Sequence, residues 1–420
     1  MQLHKCTSSF EFKKIIFAIP VLNNCKYAYL NCAMIFLLIS LILLLAYITL
    51  IVYYRQSWLQ LKIYHPVPGK FAMHSPFITV IIVARNEEKN IAGCIDSIIR
   101  QTYPENLFEL ILVDDHSVDS TAAIARSFAK NNISVINLQD FTGSENLNSY
   151  KKKAVETAIG LAKGNLMVTT DADCIVQPEW LNSIASFYEE FKPVFIAAPV
   201  VYANPLPGDS FFKRILKIFQ LLDFITLQGI TGASVYKKFH SMCNGANLAY
   251  EKNAFNEAGG FEGIDKIASG DDMLLMHKIK KIYPDKVMYL KSDKAIVQTQ
   301  PAATLKDFMN QRIRWASKAD KYTDPKIGVV LLLVYVFNAW IFFIAICSFF
   351  SIYVFYLFLL LLIAKTAVEL FFIYPVAGFF KKQKFLWWFL PAEPFHILYT
   401  LVAGWLGKFG SYKWKGRKVK

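Results

Sequence analysis

Charge is missing from two long stretches of this chain. No Asp, Glu, Lys or Arg stands between Tyr27 and Tyr54, and none between Ile327 and Ala364. A helix rises about 1.5 Å per residue, so roughly 20 apolar residues cross the hydrocarbon core of a bilayer. The first stretch supplies one span and the second nearly two. Such uncharged lengths, in a chain that is 55% hydrophobic with 35 Phe and 21 Tyr, exclude an ordinary soluble protein. A small-residue cleavage site is also missing after the first stretch, where Tyr53-Tyr54-Arg55 follows instead. That excludes a cleaved leader and reads as an uncleaved anchor. Cysteine is sparse: the seven residues are scattered, odd in number and without metal-type spacing. They exclude a disulfide framework and a zinc cluster, and fit a reducing, cytoplasmic compartment. No basic stripe interleaved with stacking aromatics runs through the polar block, which excludes nucleic acid as a partner.

The net charge of +14 collects beside the apolar stretches, at Lys381-Lys382-Gln383-Lys384 and in the tail from Lys413 to Lys420. Lys and Arg close to spans mark the cytoplasmic side and attract anionic headgroups. The expected organisation is a tail over residues 1–32, an anchor over 33–54, a linker over 55–74 and a catalytic domain over 75–319. Two spans follow at 327–349 and 352–376, then an apolar segment at 385–407 and a basic tail at 408–420. The segment 385–407 either crosses once more or turns back as a re-entrant or interfacial hairpin. Pro391, Glu393, Pro394 and His396 near its middle favour the hairpin. Phe211 to Ile230, apolar but carrying Lys213, Arg214 and Lys217, is either an interfacial amphipathic helix or a packed core helix. Lys365 and Glu369, four apart in one span, read as a neutralising pair on one helix face.

Between the anchor and the later spans, strand and helix patterns alternate. Apolar β-rich runs occupy Phe77 to Val83, Phe108 to Val113, Ile133 to Leu138 and Leu166 to Thr170. Helical patterns lie between them, at Glu88 to Arg100, Ser120 to Lys130 and Lys151 to Ala162. Continuously apolar strands separated by helices predict an α/β domain with a parallel sheet covered on both faces. Ligands of such sheets bind beyond the carboxyl ends of the strands. Asp114-Asp115 and Asp171-Ala172-Asp173 fall at such ends.

Each acidic motif has a plain structural alternative. Asp119 or Ser120 would cap the helix after Asp114-Asp115. Asp171-Ala172-Asp173 could be a turn, and Asp271-Asp272 could cap the helix from Met273 to Ile282. Asp-x-Asp at a strand end can equally hold Mg²⁺ or Mn²⁺, which take hard oxygen ligands together with substrate phosphates. Gln311-Arg312-Ile313-Arg314-Trp315, a dozen residues before a span, also reads as an interfacial helix with Trp at the headgroup level.

The ordered set goes further than any one motif. Thr79-Val80-Ile81-Ile82-Val83-Ala84-Arg85-Asn86-Glu87, Val113-Asp114-Asp115-His116-Ser117 and Asp171-Ala172-Asp173 come first. Asn244-Gly245-Ala246-Asn247 with Gly259-Gly260-Phe261, Gly270-Asp271-Asp272 and the Gln311-to-Trp315 run complete it. Over roughly residues 75 to 316 the chain resembles a membrane-bound family 2 glycosyltransferase with the GT-A (nucleotide-diphospho-sugar transferase, Rossmann-like) fold. The resemblance implies that Asp115, with Ala84 and Glu87, holds the nucleotide of an activated sugar. It implies that Asp171 and Asp173 face the diphosphate, with Asp173 the more direct ligand of a Mg²⁺ or Mn²⁺ ion. Asp272 would be the general base, and Gln311, Arg314 and Trp315 would lie over the donor diphosphate and the acceptor entrance. Two departures stand out: His116 replaces a commoner glycine, and Asp271 stands where Glu is frequent.

The expected protein is an α/β GT-A domain with one N-terminal and two to three C-terminal transmembrane helices. The expected reaction inverts the sugar as it passes from a nucleotide-sugar, expected to be a UDP-sugar, to a glycolipid, a lipid-linked saccharide or a cell-surface polysaccharide. Growing negative charge on the leaving diphosphate calls for a metal and Arg314, and a sugar hydroxyl needs a carboxylate to take its proton. A processive polysaccharide synthase is the alternative, and a non-catalytic membrane scaffold or transporter is the rival from another class. Membrane lipids and a homo-oligomer are further expected partners. The expected location is the inner or plasma membrane with the catalytic domain in the cytoplasm.

Overall fold

The computed structural model describes residues 8–66, 75–130, 132–142, 149–265, 267, 270–322, 324–410, 412–414 and 417–419. Of residues 8–33, 320 and 412–419 the backbone alone is described. The strands are β1 (Ile78–Ala84), β2 (Phe108–Asp114), β3 (Ile133–Asn137), β4 (Leu166–Asp171), β5 (Phe195–Ala197), β6 (Val200–Tyr202), β7 (Leu248–Glu251), β8 (Val287–Tyr289) and β9 (Val297–Thr299). The first helices are α1 (Ser8–Gln60), α2 (Ile91–Ile99), α3 (Thr121–Ser127), α4 (Gln139–Thr142), α5 (Tyr150–Leu161) and α6 (Trp180–Phe191). They are followed by α7 (Phe211–Tyr236), α8 (Lys252–Glu257), α9 (Asp271–Ile282), α10 (Leu305–Ala316), α11 (Pro325–Cys347), α12 (Ile352–Phe379) and α13 (Phe389–Phe409).

The main sheet runs β3-β2-β1-β4-β7-β5-β8, and β6 pairs with β9 separately. β1 lies parallel to both β2 and β4, and β2 parallel to β3, whereas β7 runs antiparallel to β4 and β5. Every residue of β2, and all but one residue each of β1 and β4, is buried. That burial explains why these strands read as unbroken apolar runs. The register sets Ala84 opposite Asp114 and Val83 opposite Asp171. The expected strand-end carboxylates therefore share one edge of the sheet. The chain adopts the α/β architecture implied by its resemblance to the GT-A fold.

Below this domain lies the apolar part. Among the described residues four helical segments are long and apolar enough to cross a membrane: Met34–Gln60 of α1, and α7, α11 and α12. Met34, Leu37, Leu38, Leu41, Ile42 and Leu45 stand about half exposed along α1, and Phe349, Phe350, Tyr353 and Tyr356 are more exposed still. A surface this apolar and continuous is stable only against lipid, so the protein is membrane-associated. α7 differs from the other three. From Ile218 onward it is almost wholly buried, between β6 and β8 on one side and α1 and α12 on the other. Gly232 lets the ring of Trp58 close in, and Gly229 does the same for Phe372 and Val376; an added Cβ would stand within 3 Å of each of those neighbours. Small residues at helix contacts allow this approach. Of the two readings of Phe211 to Ile230, the packed helix is the one adopted, with its first turn exposed.

Several boundaries differ from expectation. α1 starts at Ser8, so residues 8–32, expected as a tail, are helical; it also runs on to Gln60, into the expected linker. Residues 61–66 follow without helix or strand, and residues 67–74 of that linker lie outside the described residues. The expected hairpin at 385–407 is instead one continuous helix, α13, preceded by a 3-10 turn over Gln383–Trp388. The polar residues that pointed to a hairpin are held by partners that no local pattern displays: Glu393 forms an ion pair with Lys365 on α12. Pro391 sits in the first turn, where no intrahelical donor is lost. The backbone of the basic tail forms an antiparallel pair, Tyr412–Trp414 with Arg417–Val419.

α13 packs along α10. A Cβ on Gly407 would come 2.6 Å from the Cβ of Ala316 and 2.9 Å from its carbonyl carbon. Gly407→Val is therefore expected to force the two helices apart, at a cost of about 1–3 kcal/mol for overpacking. Thermal unfolding in detergent would measure this, and an unchanged midpoint would refute the close approach.

Candidate active site

The edge formed by β1, β2 and β4 is closed by two left-handed residues. Asn86 has φ 53° and His116 has φ 56°. The second value explains why glycine is common at that position and why histidine there needs support. The imidazole Nδ1 lies 3.0 Å from Asp115 Oδ1, and the ring meets Tyr150 edge-on at 5.2 Å. Asp115 is buried, with Arg85 Nη1 3.5 Å from its carboxylate, and its amide donates to the carbonyl of Ala84 at 2.8 Å. Glu87 begins the turn beyond β1: its amide donates to Thr121 Oγ1 and its carboxylate accepts from Asn90. Asp119 does act as a capping residue, accepting from the amide and hydroxyl of Thr121. Ala84, Glu87 and Asp115 thus form one group at the β1–β2 end.

The second group lies at the end of β4. Ligand atoms of Asp171, Asp173 and Cys174 fall within 4.8 Å of one another. Asp173 accepts from Thr299 Oγ1 at 3.0 Å, which ties this turn to β9. Burial and then the neighbouring carboxylates push the Cys174 thiol well above its usual range, leaving it neutral. Among these three, the two carboxylates are the hard oxygen donors, the ligand type that suits Mg²⁺ or Mn²⁺.

The third group opens α9. Gly270, at φ 83°, turns the chain so that Asp271 and Asp272 head the helix. Asp272 accepts from the amide of Met273 at 2.7 Å and from that of Gly245 at 3.0 Å. Both carboxylate oxygens of Asp272 are thus held by backbone amides at the start of α9. Gly245 belongs to the Asn244-to-Asn247 turn, which Asn247 anchors by donating to the carbonyls of Pro199 and Ala295 and accepting from Trp180 Nε1.

Lys151 joins the second and third groups. Its Nζ lies 2.8 Å from Asp171 Oδ1 and 3.4 Å from Asp271 Oδ2. Burial alone would lower its pKa, but Asp171 and Asp271 together hold it above the usual lysine range. Burial would raise Asp271, while Lys151 and Lys318 keep it below the usual carboxylate range. Lys318, also buried and with its pKa lowered by that burial, faces Asp272 and Arg314. A small cavity of about 20 Å³ lies among Lys151, Asp171, Gly245, Asp271 and Asp272. Sequence reasoning missed both lysines. Lys151 belongs to a Lys-Lys-Lys run at the start of α5, which reads locally as a solvated face.

Gln311, Arg314 and Trp315 ride on α10. Gln311 Oε1 accepts from Tyr202 on β6 at 3.2 Å, and β6 pairs with β9, the strand carrying Thr299. The Tyr202 hydroxyl is raised by burial, with Arg312 opposing and Asp223 and Asp173 adding to the rise. Tyr202 therefore links α10 to the Asp173 side. Trp315 lies 6.2 Å from the ring of Phe224 and 4.4 Å from the guanidinium of Arg312. Arg312 was not among the expected site residues. It is buried against Asp223 at 2.5 Å and fixes α10 to α7.

Residues 79–256 match the family model described as glycosyl transferase family 2. The chain is 35% identical over 148 residues to glycosyltransferase AglE of Haloferax volcanii, a match covering 34% of this chain and 47% of that one. It is 26% identical over 129 residues to a beta-monoglucosyldiacylglycerol synthase of Nostoc, covering 31% of this chain and 27% of that one. The chain thus spans less than half the length of these relatives. The mannosyltransferase PcManGT from Pyrobaculum calidifontis, solved with GDP-Man and Mn²⁺, superposes with a TM-score of 0.48 and 18% identity. That superposition covers 85% of this chain and 98% of the other. The matched stretch, residues 79–256, takes in the parallel strands β1 to β4 and the acidic groups at their ends.

Proposed function

We propose that the protein transfers a sugar, with inversion, from a nucleotide-sugar to a membrane-associated acceptor. The observation that carries this reading is the meeting of Asp171, Asp271 and Asp272 around Lys151 at the carboxyl edge of the sheet. A lysine bridging two carboxylates marks the place as one built for positive charge. Asp171 and Asp173 would hold Mg²⁺ or Mn²⁺. The ion, when bound, would neutralise charge developing on the leaving diphosphate. Ala84, Glu87 and Asp115 would receive the nucleotide, and Gln311, Arg314 and Trp315 would cover the diphosphate and the acceptor entrance. Asp272, held by two backbone amides, would take the proton of the acceptor hydroxyl.

A UDP-sugar is the proposed donor. The acceptor is proposed to be a glycolipid, lipid-linked saccharide or polysaccharide, because α10 runs directly into the apolar helices. The name of the Nostoc relative, a diacylglycerol glycolipid synthase, supports a lipid acceptor. Lys381, Lys382 and Lys384 at the end of α12 support a cytoplasmic catalytic face in the inner or plasma membrane.

Membranes containing the protein, given labelled UDP-glucose, UDP-GlcNAc, UDP-galactose and GDP-mannose in turn, should transfer label from one of them. Chelation by EDTA should reduce that transfer at least tenfold, and added Mn²⁺ or Mg²⁺ should restore it. Sizing the product separates single addition from processive synthesis. Transfer from none of the donors, with no metal-dependent nucleotide binding, would overturn the reading in favour of a scaffold.

A further inference from the structure

A second cavity, about 410 Å³, lies away from the acidic groups, where the start of α7 meets the turn between α12 and α13. Its walls are Asn204 and Pro205 beyond β6, Arg214 and Ile218 on α7, and Lys384, Phe385 and Trp388 on the 3-10 turn. No acid lines it. Asp209, close by in sequence, is already engaged by Lys217 at 2.7 Å and Lys213 at 3.6 Å. The Arg214 guanidinium makes no hydrogen bond or ion pair among the described residues, its backbone amide alone donating to Ser210. Lys384 has only the ring of Phe385, at 5.2 Å. Behind them Lys382, 7% exposed, donates to Asn204 Oδ1 at 2.5 Å. Burial lowers its pKa, and the charge of Lys384 lowers it further. Two cations lining one cavity, with a third behind its Asn204 wall and no acid in the lining, is an arrangement that an anion completes.

The surroundings say where the anion comes from. The cavity sits just past the end of α12, where a membrane-crossing helix emerges from hydrocarbon. Close to the lining residues in sequence stands bare apolar surface: Trp387, next to Trp388, is 88% exposed, and Phe212 and Phe211, in the same first turn of α7 as Arg214, are 82% and 65% exposed. Aromatic rings in that position belong at the headgroup level. A free phosphate ion would satisfy the cations and leave the rings in water; a lipid covers both.

We propose that this cavity binds the phosphate of an anionic membrane lipid, held by Arg214 and Lys384, with the lipid's apolar part lying over Phe211, Phe212 and Trp387. The site is separate from the reaction proposed above and does not depend on it. A lipid seated there would bridge α7, which underlies the sheet, to the α12–α13 turn.

The test uses the full chain in a neutral detergent, titrated with short-chain phosphatidylglycerol, short-chain phosphatidylcholine or inorganic phosphate, and followed by native mass spectrometry and thermal unfolding. Phosphatidylglycerol should bind and raise the unfolding midpoint, and the other two should do neither at the same concentration. Arg214→Gln/Lys384→Gln should weaken phosphatidylglycerol binding roughly 30-fold, the loss of two charges near a membrane surface. Each single variant should weaken it roughly fivefold, which keeps the test open if the double variant folds poorly. Lys130→Gln, far off beside β3, should bind like the parent. Unweakened binding in the double variant would overturn the proposal. So would phosphate or phosphatidylcholine binding as tightly as phosphatidylglycerol, since the site would then read the ion or the apolar rim alone.

Discussion

Asp272→Asn should reduce sugar transfer by about 10²–10⁴-fold, the usual contribution of a positioned general base, while donor binding is retained. The carboxylate is fixed by the amides of Gly245 and Met273 at the head of α9. It therefore presents a lone pair from one orientation, without the entropic cost of searching for it. Asparagine has nearly the same shape but cannot take a proton, and it offers only one acceptor oxygen to the two amides. A modest fall in stability, about 1–3 kcal/mol for the unmet amide, should accompany the loss. Comparing turnover with the dissociation constant of the donor separates the two effects, because a misfolded site would lose both. Asp271→Asn serves as the counterpart. Asp271 pairs with Lys151, so its loss should disturb donor binding first. If Asp272→Asn turned over normally and Asp271→Asn did not, the base would be Asp271.

Lys365→Met should be the most destabilising single change in the apolar part, at about 3–5 kcal/mol. The ammonium is fully buried, 2.8 Å from Glu369, and also pairs with Glu393. Glu369 accepts from Tyr47 on α1, and His396 Nδ1 lies 3.5 Å from the lysine. Without the lysine, two buried carboxylates face each other with no cation between them. The cluster joins α1, α12 and α13, and it continues through His396 and Tyr399 to Asp223 and the Arg312 of α10. The consequence should therefore reach α10 as well as α1, α12 and α13. Lys365→Met/Glu369→Gln/Glu393→Gln removes every charge together and should recover most of the loss, since neutral groups of similar volume can replace a buried ion set. Unfolding midpoints of the parent, single and triple variants decide the matter. A single variant as stable as the parent would refute the account.

Legibility followed the range of the forces involved. The four strands Ile78–Ala84, Phe108–Asp114, Ile133–Asn137 and Leu166–Asp171 lie within a residue or so of their expected limits, because a strand covered on both faces is an uninterrupted apolar run. The long apolar helices were legible too, since an uncharged run of that length shows in the sequence itself. Lys365 and Glu369 do pair, but the pair is only half of the object: Tyr47 and Glu393 come from residues hundreds and tens of positions away. The mistaken hairpin at 385–407 has that origin too, for Glu393 and Pro394 look disruptive until the helix beside them is known.

At the candidate site the division is similar. Asp114-Asp115, Asp171-to-Asp173 and Asp271-Asp272 announced themselves, because carboxylates at the ends of apolar runs are conspicuous in one dimension. Lys151, Lys318, Thr299 and Tyr202 did not, since each is an ordinary residue until folding sets it beside a carboxylate or a glutamine. The sequence by itself determined which segments are strands, which are helices apolar enough to cross a membrane, and where acidic groups meet the sheet edge, because each depends on local hydropathy and chain geometry. The tertiary structure alone decided which cation stands between which acids, because Coulombic and hydrogen-bonded partners act through a few ångströms of space regardless of their separation along the chain.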